Sequence, residues 1–164
     1  MADLDWSDLS FKYRKTSFII TSYYKDGAWS EPVASHDFDF HFSAFAGVFH
    51  YANACFEGLK AFRGVDGKIR IFRPDENAKR LRRSGSYLDM AVPTEEMFID
   101  MCIKCVEANI EFLPPYGHGA SMYLRPVLIG CNPQLGIASS DEVLFAVMCA
   151  PVGTYSGAKI LTPG

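Results

Sequence analysis

The sequence predicts an α+β domain, a mainly antiparallel sheet with two principal helices packed on it. Three observations carry this. Segments that alternate apolar with polar residues lie towards both ends of the chain and two stretches of helical spacing lie between them, an order that gathers helices on an antiparallel sheet. Two Asp-Gly pairs, Asp26-Gly27 and Asp66-Gly67, sit between alternating runs and signal hairpins. The helical stretches carry their own start and stop residues: Pro74 with Asp75 and Glu76, then Thr94 ahead of Glu95, and Pro114-Pro115.

Residues 1–16 are polar and are expected to form a flexible N-terminal arm from which Trp6 and Phe11 can dock. Ser17 to Tyr24, rich in aromatic and β-branched residues, reads as the first strand, with a hairpin at Asp26-Gly27 running through Trp29 into Val33. From His36 the phenylalanines at 38, 40 and 42 alternate, and a short irregular or helical turn is expected around Gly47. The stretch His50 to Arg63 turns at Gly58 and leaves as a strand, Leu59 and Ala61 on one face, Lys60 and Phe62 on the other. Lys68 to Arg73 returns as its hairpin partner, with Ile69 and Ile71 on one face.

Pro74 then opens a helix to about residue 89, in which Ala78, Leu81, Gly85 and Leu88 share a face. Thr94 is the expected N-cap of a second helix, whose stripe of Phe98, Met101, Cys102, Cys105, Ile110 and Leu113 runs to Pro114-Pro115. Ser121 to Cys131 is an apolar strand broken only by Arg125-Pro126, where a proline predicts a bulge or an edge. Asp141 to Pro151 is apolar throughout and is expected to be buried on both faces. The domain thus spans 17–153, and 154–164, rich in Gly, Ser, Thr and Pro, reads as the start of an interdomain linker.

Composition narrows the function classes. The chain has 164 residues, enough for one full core, with 49% hydrophobic and 21% charged residues, as in ordinary globular proteins. Sixteen basic and nineteen acidic residues, with no long run of either sign, argue against extended nucleic-acid binding, which needs clustered cations. No apolar run approaches the roughly 20 residues of a membrane span, and the acidic N-terminus is unlike a signal peptide, so a cytoplasmic location without membrane partners is expected. The five cysteines are scattered through apolar patterns and read as reduced thiols; Cys102 and Cys105 fall on the apolar helix stripe with no further ligands for zinc. His36, His41, His50 and His118 have no metal-ligand spacing, and neither a nucleophile elbow nor a phosphate loop occurs.

Arg125 interrupts an apolar strand, and a buried cation there needs a partner. It must therefore reach either an acid such as Glu57 or Glu142 or solvent. Tyr123, two residues earlier, shares its face of the strand. Arg80 lies about a turn and a half into the first helix, where periodicity alone reads it as an exposed helix arginine like Arg82 and Arg83.

In order and at similar separations, Tyr51 with Phe56-Glu57-Gly58, Phe72-Arg73-Pro74, Arg80-Leu81, Tyr123-Leu124-Arg125-Pro126 and Cys149-Ala150-Pro151-Val152-Gly153 resemble the N-terminal small domain of the branched-chain amino acid aminotransferases. These are fold-type IV pyridoxal phosphate enzymes and homodimers, and the resemblance implies transfer of an amino group between leucine, isoleucine or valine and 2-oxoglutarate. It implies that Arg80 binds the cofactor phosphate, that Tyr51, Phe56 and Gly58 belong to the substrate pocket, and that Tyr123 helps hold the α-carboxylate. Arg125 matches the receptor for the second carboxylate of glutamate, and Leu135 and Ile137 fall in a loop that contributes to a neighbouring subunit's pocket. The family's Schiff-base lysine belongs to a second, larger domain, and none of Lys12, Lys15, Lys25, Lys60, Lys68, Lys79, Lys104 or Lys159 matches it. The chain is therefore expected to be inactive alone and not to retain pyridoxal phosphate. D-amino acid transaminase and aminodeoxychorismate lyase share the fold but match the Phe-Glu-Gly and Tyr-Leu-Arg-Pro segments less well, and a non-catalytic interaction module is the alternative from another class.

Overall fold

A computed structural model of the protein describes residues 2–153; the expected linker, 154–164, lies outside the described residues. Regular structure begins with β1 (Ile19–Lys25), which turns into β2 (Ala28–Trp29) and β3 (Val33–Ser35). Asp26 and Gly27 have φ of 53° and 84°, as a two-residue type I′ turn requires, and these are residues that tolerate it. The alternating phenylalanines that follow form no strand. Phe38, Phe40 and Phe42 instead lay their rings, partly buried, against Ile19, Leu144 and Ala146.

A short helix α1 (Gly47–Tyr51) leads to β4 (Ala54–Phe56), β5 (Leu59–Arg63) and β6 (Ile69–Ile71). Next come α2 (Pro74–Tyr87), α3 (Glu95–Ala108), β7 (Ser121–Gly130) and β8 (Val143–Val152). The sheet runs β2-β1-β8-β7-β5-β6, with β3 also on β1 and β4 also on β7, every pair antiparallel. Central β8 is covered on both sides. Val143, Phe145 and Val147 join Leu81, Phe98, Met101, Leu124 and Leu128 in the main core beneath α2 and α3, whereas Leu144 and Ala146 join the smaller cluster on the other face.

Three expectations are corrected. Gly58 is not a turn: the pairs Phe56↔Val127 and Leu59↔Leu124 keep one register, so β4 and β5 are a single line along β7 with Glu57 opposite Pro126 and Gly58 opposite Arg125. Pro126 is neither a bulge nor an edge. The Glu57 amide donates to the Pro126 carbonyl at 2.9 Å, and the return bond is the one the proline cannot give, so the ring costs one ladder bond while β7 runs on unbroken and the gap falls in its partner, between β4 and β5.

The second helix stops five residues short of Leu113. Asn109, fully buried, accepts from the amides of Ser17 and Phe18, both at 2.9 Å, and donates to the carbonyls of Phe18 and Cys105. The side chain thus binds backbone groups of β1's entry in place of a further helical turn, and a 3-10 turn (Ile110–Phe112) completes the stretch.

The helix starts are as expected. Pro74 opens α2, and Thr94 caps α3 by accepting from the Met97 amide at 3.1 Å. Gly85 lets α2 approach the sheet, since a Cβ there would come within 2.7 Å of Leu128 and Val92. That approach sets where Arg80, on the same helix, meets the strand.

Candidate functional site

Strand alternation puts Phe56, Gly58 and Lys60 of the β4–β5 line beside Val127, Arg125 and Tyr123 of β7, on the sheet face away from α2 and α3. Tyr123 crosses the glycine: a Cβ on Gly58 would lie 2.4 Å from its hydroxyl and 3.0 Å from its ring. Arg125 stacks its guanidinium 4.8 Å from the centre of the Phe56 ring and 5.4 Å from that of Tyr123, and its Nη2 donates to the Tyr123 hydroxyl at 3.4 Å. Neither acid considered as its partner is available. Glu57 binds Arg80, Glu142 binds Lys25 at 2.6 Å, and no carboxylate among the described residues pairs with Arg125. The side chain is exposed at the surface of the sheet.

Glu57 points to the opposite face, toward α2. Arg80 grips it with two parallel bonds, Nε to Oε1 at 2.9 Å and Nη2 to Oε2 at 2.5 Å, and Asn77 one turn earlier donates to Oε2 at 2.8 Å and to the Gly58 carbonyl at 3.2 Å. Glu57 is 8% exposed, while Arg80 keeps about half its side chain in solvent. The carboxylate contact holds the Arg80 pKa above its ordinary value. Burial, then the Glu57 charge, pushes the neighbouring Cys55 thiol up to about 11.

Two hollows meet at Tyr123. An open cleft of about 600 Å³ is bounded by Gly58, Lys60, Phe72, Arg73, Asn77 and Arg80, and a smaller one of about 300 Å³ by Phe11, Arg14, Phe38, Arg125, Met148 and Ala150. The N-terminal arm thus reaches the site, Phe11 setting its ring edge-on to Tyr123 with centroids 5.0 Å apart. The larger cleft is lined by Lys60, Arg73 and Arg80 against Glu76, a charge balance suited to an anion. An arginine has five N–H donors, and Glu57 occupies two on Arg80, leaving three for a phosphate.

The structure therefore gathers Phe56, Gly58, Tyr123, Arg125 and Arg80 within one strand pair and the adjoining helix. Tyr51, Leu135 and Ile137 lie elsewhere. The Tyr51 hydroxyl donates to the Leu135 carbonyl and fastens α1 to that loop, but Leu135 and Ile137 are 82% and 88% exposed, and none of the three lines either hollow. Asn77 and Phe11 join the site without having been expected there. Asn77 carried a usable signal, since it lies one turn before Arg80 on the helix, whereas Phe11 reaches Tyr123 only through the fold.

No family model matches the sequence. Among curated proteins, the chain is 43% identical to a branched-chain-amino-acid aminotransferase of Haemophilus influenzae over 94% of its length and 44% identical to that of Helicobacter pylori over 99%. It is 36% identical to branched-chain-amino-acid transaminase 1 of Bacillus subtilis over 97%. It spans about half the length of these relatives, 45%, 50% and 45% respectively. Among solved structures it resembles the branched-chain amino acid aminotransferase of Escherichia coli, with a TM-score of 0.63 at 22% identity over 88% of this chain and 42% of that one. It also resembles the T.th. enzyme complexed with N-(5'-phosphopyridoxyl)-L-glutamate, with a TM-score of 0.56 at 25% identity over 82% and 41%. In sequence the chain is similar, over nearly its whole length, to about half of the branched-chain amino acid aminotransferases, and its α+β fold matches the small domain of the fold-type IV aminotransferases.

Proposed function

We propose that this chain is the substrate-recognising half of a branched-chain amino acid transaminase, which moves an amino group between leucine, isoleucine or valine and 2-oxoglutarate. The observation that carries the reading is Arg125, an exposed cation held on the rings of Phe56 and Tyr123 with no carboxylate partner among the described residues. One wall then serves both partners of the reaction. The rings pack a branched alkyl side chain, and the guanidinium meets the second carboxylate of glutamate or 2-oxoglutarate through charge-assisted hydrogen bonds. Tyr123, whose hydroxyl lies over Gly58 beside the Arg125 guanidinium, is assigned the α-carboxylate. The exposed Leu135 and Ile137 loop, tied down through Tyr51, is suited to completing the pocket of a second subunit in a homodimer.

Pyridoxal phosphate is the cofactor of this proposal, and the T.th. relative is described with a phosphopyridoxyl ligand. Arg80 fits its phosphate, with three donors free beside a cationic cleft. When bound, the cofactor supplies the carbonyl carbon that carries the amino group and the conjugated ring that stabilises the electron pair at Cα. This chain's own residues hold the phosphate and orient the substrate; the lysine that moves the proton belongs to the other domain.

The test compares this chain with the complete gene product. The chain of this sequence, mixed with pyridoxal phosphate, leucine and 2-oxoglutarate, should form no glutamate, and borohydride should trap cofactor on no single lysine. The complete product should form glutamate with leucine as donor. A complete product that retains cofactor yet transfers nothing from leucine, isoleucine or valine would overturn the reading.

A further inference from the structure

Glu57 is the one charged side chain that the fold buries among the described residues, and it sits where the ladder lacks a bond. Opposite it, Pro126 returns no hydrogen bond, so this point of the strand is anchored by side chains. Asn77 bridges the Glu57 carboxylate and the Gly58 carbonyl, and Arg80 closes a two-pronged fork on both carboxylate oxygens. The geometry points to Glu57, with Asn77, as the positioning residue of the phosphate site: it fixes the rotation and plane of the Arg80 guanidinium so that the remaining donors are preset for a phosphate monoester. The inference rests on the role proposed above for Arg80.

Charge alone argues the other way. A carboxylate 2.5 to 2.9 Å from the only arginine proposed to take the phosphate subtracts positive potential from the site, which a plain anion trap would avoid. What the carboxylate contributes is orientation. A half-exposed helix arginine samples many rotamers, and a ligand that binds it must select one; a bidentate partner makes that selection beforehand. The two roles predict opposite signs, and this makes them separable. Glu57→Gln removes a negative charge, yet it sets an amide N–H against an Arg80 N–H where an acceptor had been.

The experiment titrates inorganic phosphate into the ¹⁵N-labelled chain and follows the Arg80 Nε–H resonance, identified by its loss in Arg80→Met, with thermal melts to confirm folding. In the unmodified chain the resonance should exchange slowly with water and shift to saturation. Glu57→Gln should weaken phosphate binding about tenfold and speed that exchange, although it makes the site more positive. Asn77→Ala should weaken binding about threefold. In an Arg80→Met background, followed through neighbouring amides, Glu57→Gln should change nothing further. If Glu57→Gln does not fold, Glu57→Asp, which keeps the charge but is too short for both bonds, should give the loss instead. Phosphate bound as tightly or more tightly by folded Glu57→Gln, or equally by Asn77→Ala and Glu57→Asp, would overturn the positioning role and leave the Arg80 assignment standing. An unmodified chain whose Arg80 resonance ignores phosphate would overturn both.

Discussion

Arg125 rests on ring faces, so its charge is available without first breaking an ion pair. In the complete gene product Arg125→Met should therefore lower kcat/KM for glutamate and 2-oxoglutarate by about 10 to 100-fold, the worth of roughly 1.5 to 3 kcal/mol of charge-assisted hydrogen bonding. Leucine should lose little, because an alkyl group packs on Phe56 and Tyr123. Equal losses for both substrates in a folded protein would mean that Arg125 is structural. Gly58→Ala makes the companion experiment: its methyl would press on the Tyr123 hydroxyl and ring, costing about 1 to 3 kcal/mol by overpacking. A urea midpoint unchanged from the parent would show that the ring moves aside freely. At this scale the pairing of Tyr123 with Arg125 was legible, because positions two apart on a strand share a face. The partner of Arg125 was not. Which acid meets which arginine depends on how α2 docks on the sheet, and no local pattern records that Glu57 turns toward Arg80.

The elements were legible where local chemistry decides them and obscure where a distant side chain does. Thr94 and Pro74 announce their helices, and Asp26-Gly27 its hairpin, through backbone requirements a few residues wide. The end of α3 is set instead by Asn109 reaching back to Ser17 and Phe18, more than ninety residues away, and the apolar stripe continues past it without warning. This contrast is measurable. Thr94→Ala should cost about 1 kcal/mol as a lost cap, whereas Asn109→Ala leaves several buried backbone groups unpaired and should cost about 2 to 4 kcal/mol. Urea unfolding of the two variants decides it, and an Asn109→Ala loss no larger than the Thr94→Ala loss would contradict the account. Pro126 was read as an exception to strand structure for the same reason: the sequence shows the missing donor but not that the bond it forfeits falls within an otherwise regular line.

Across the whole molecule the thiols set an alkaline limit. Burial raises Cys102, Cys131 and Cys55, the last to about 11, and the Cys149 contact followed by burial raises Cys105. Because the folded protein holds these protons more tightly than the unfolded chain, whose thiols ionise near 9, the stability they contribute is complete below about pH 9. It is lost as pH climbs toward 11. Urea midpoints should fall steadily across that window, and a flat profile would refute it. The exposed rings of Phe49, Phe56 and Phe72, with Leu135 and Ile137, should also make the protein self-associate, so its sedimentation coefficient should rise with concentration; a strict monomer at high concentration would count against this. The tyrosine that crosses Gly58 has a last consequence, for assembly of the chain rather than for ligands. Sliding the β4–β5 line by two residues along β7 would keep every apolar side chain on its proper face, so burial alone does not forbid the error. It would, however, bring Phe56 or Lys60 beneath the Tyr123 ring, where even a methyl carbon has no room. The glycine acts as a keyway that accepts the tyrosine at one setting of the two strands and disfavours the settings two residues to either side.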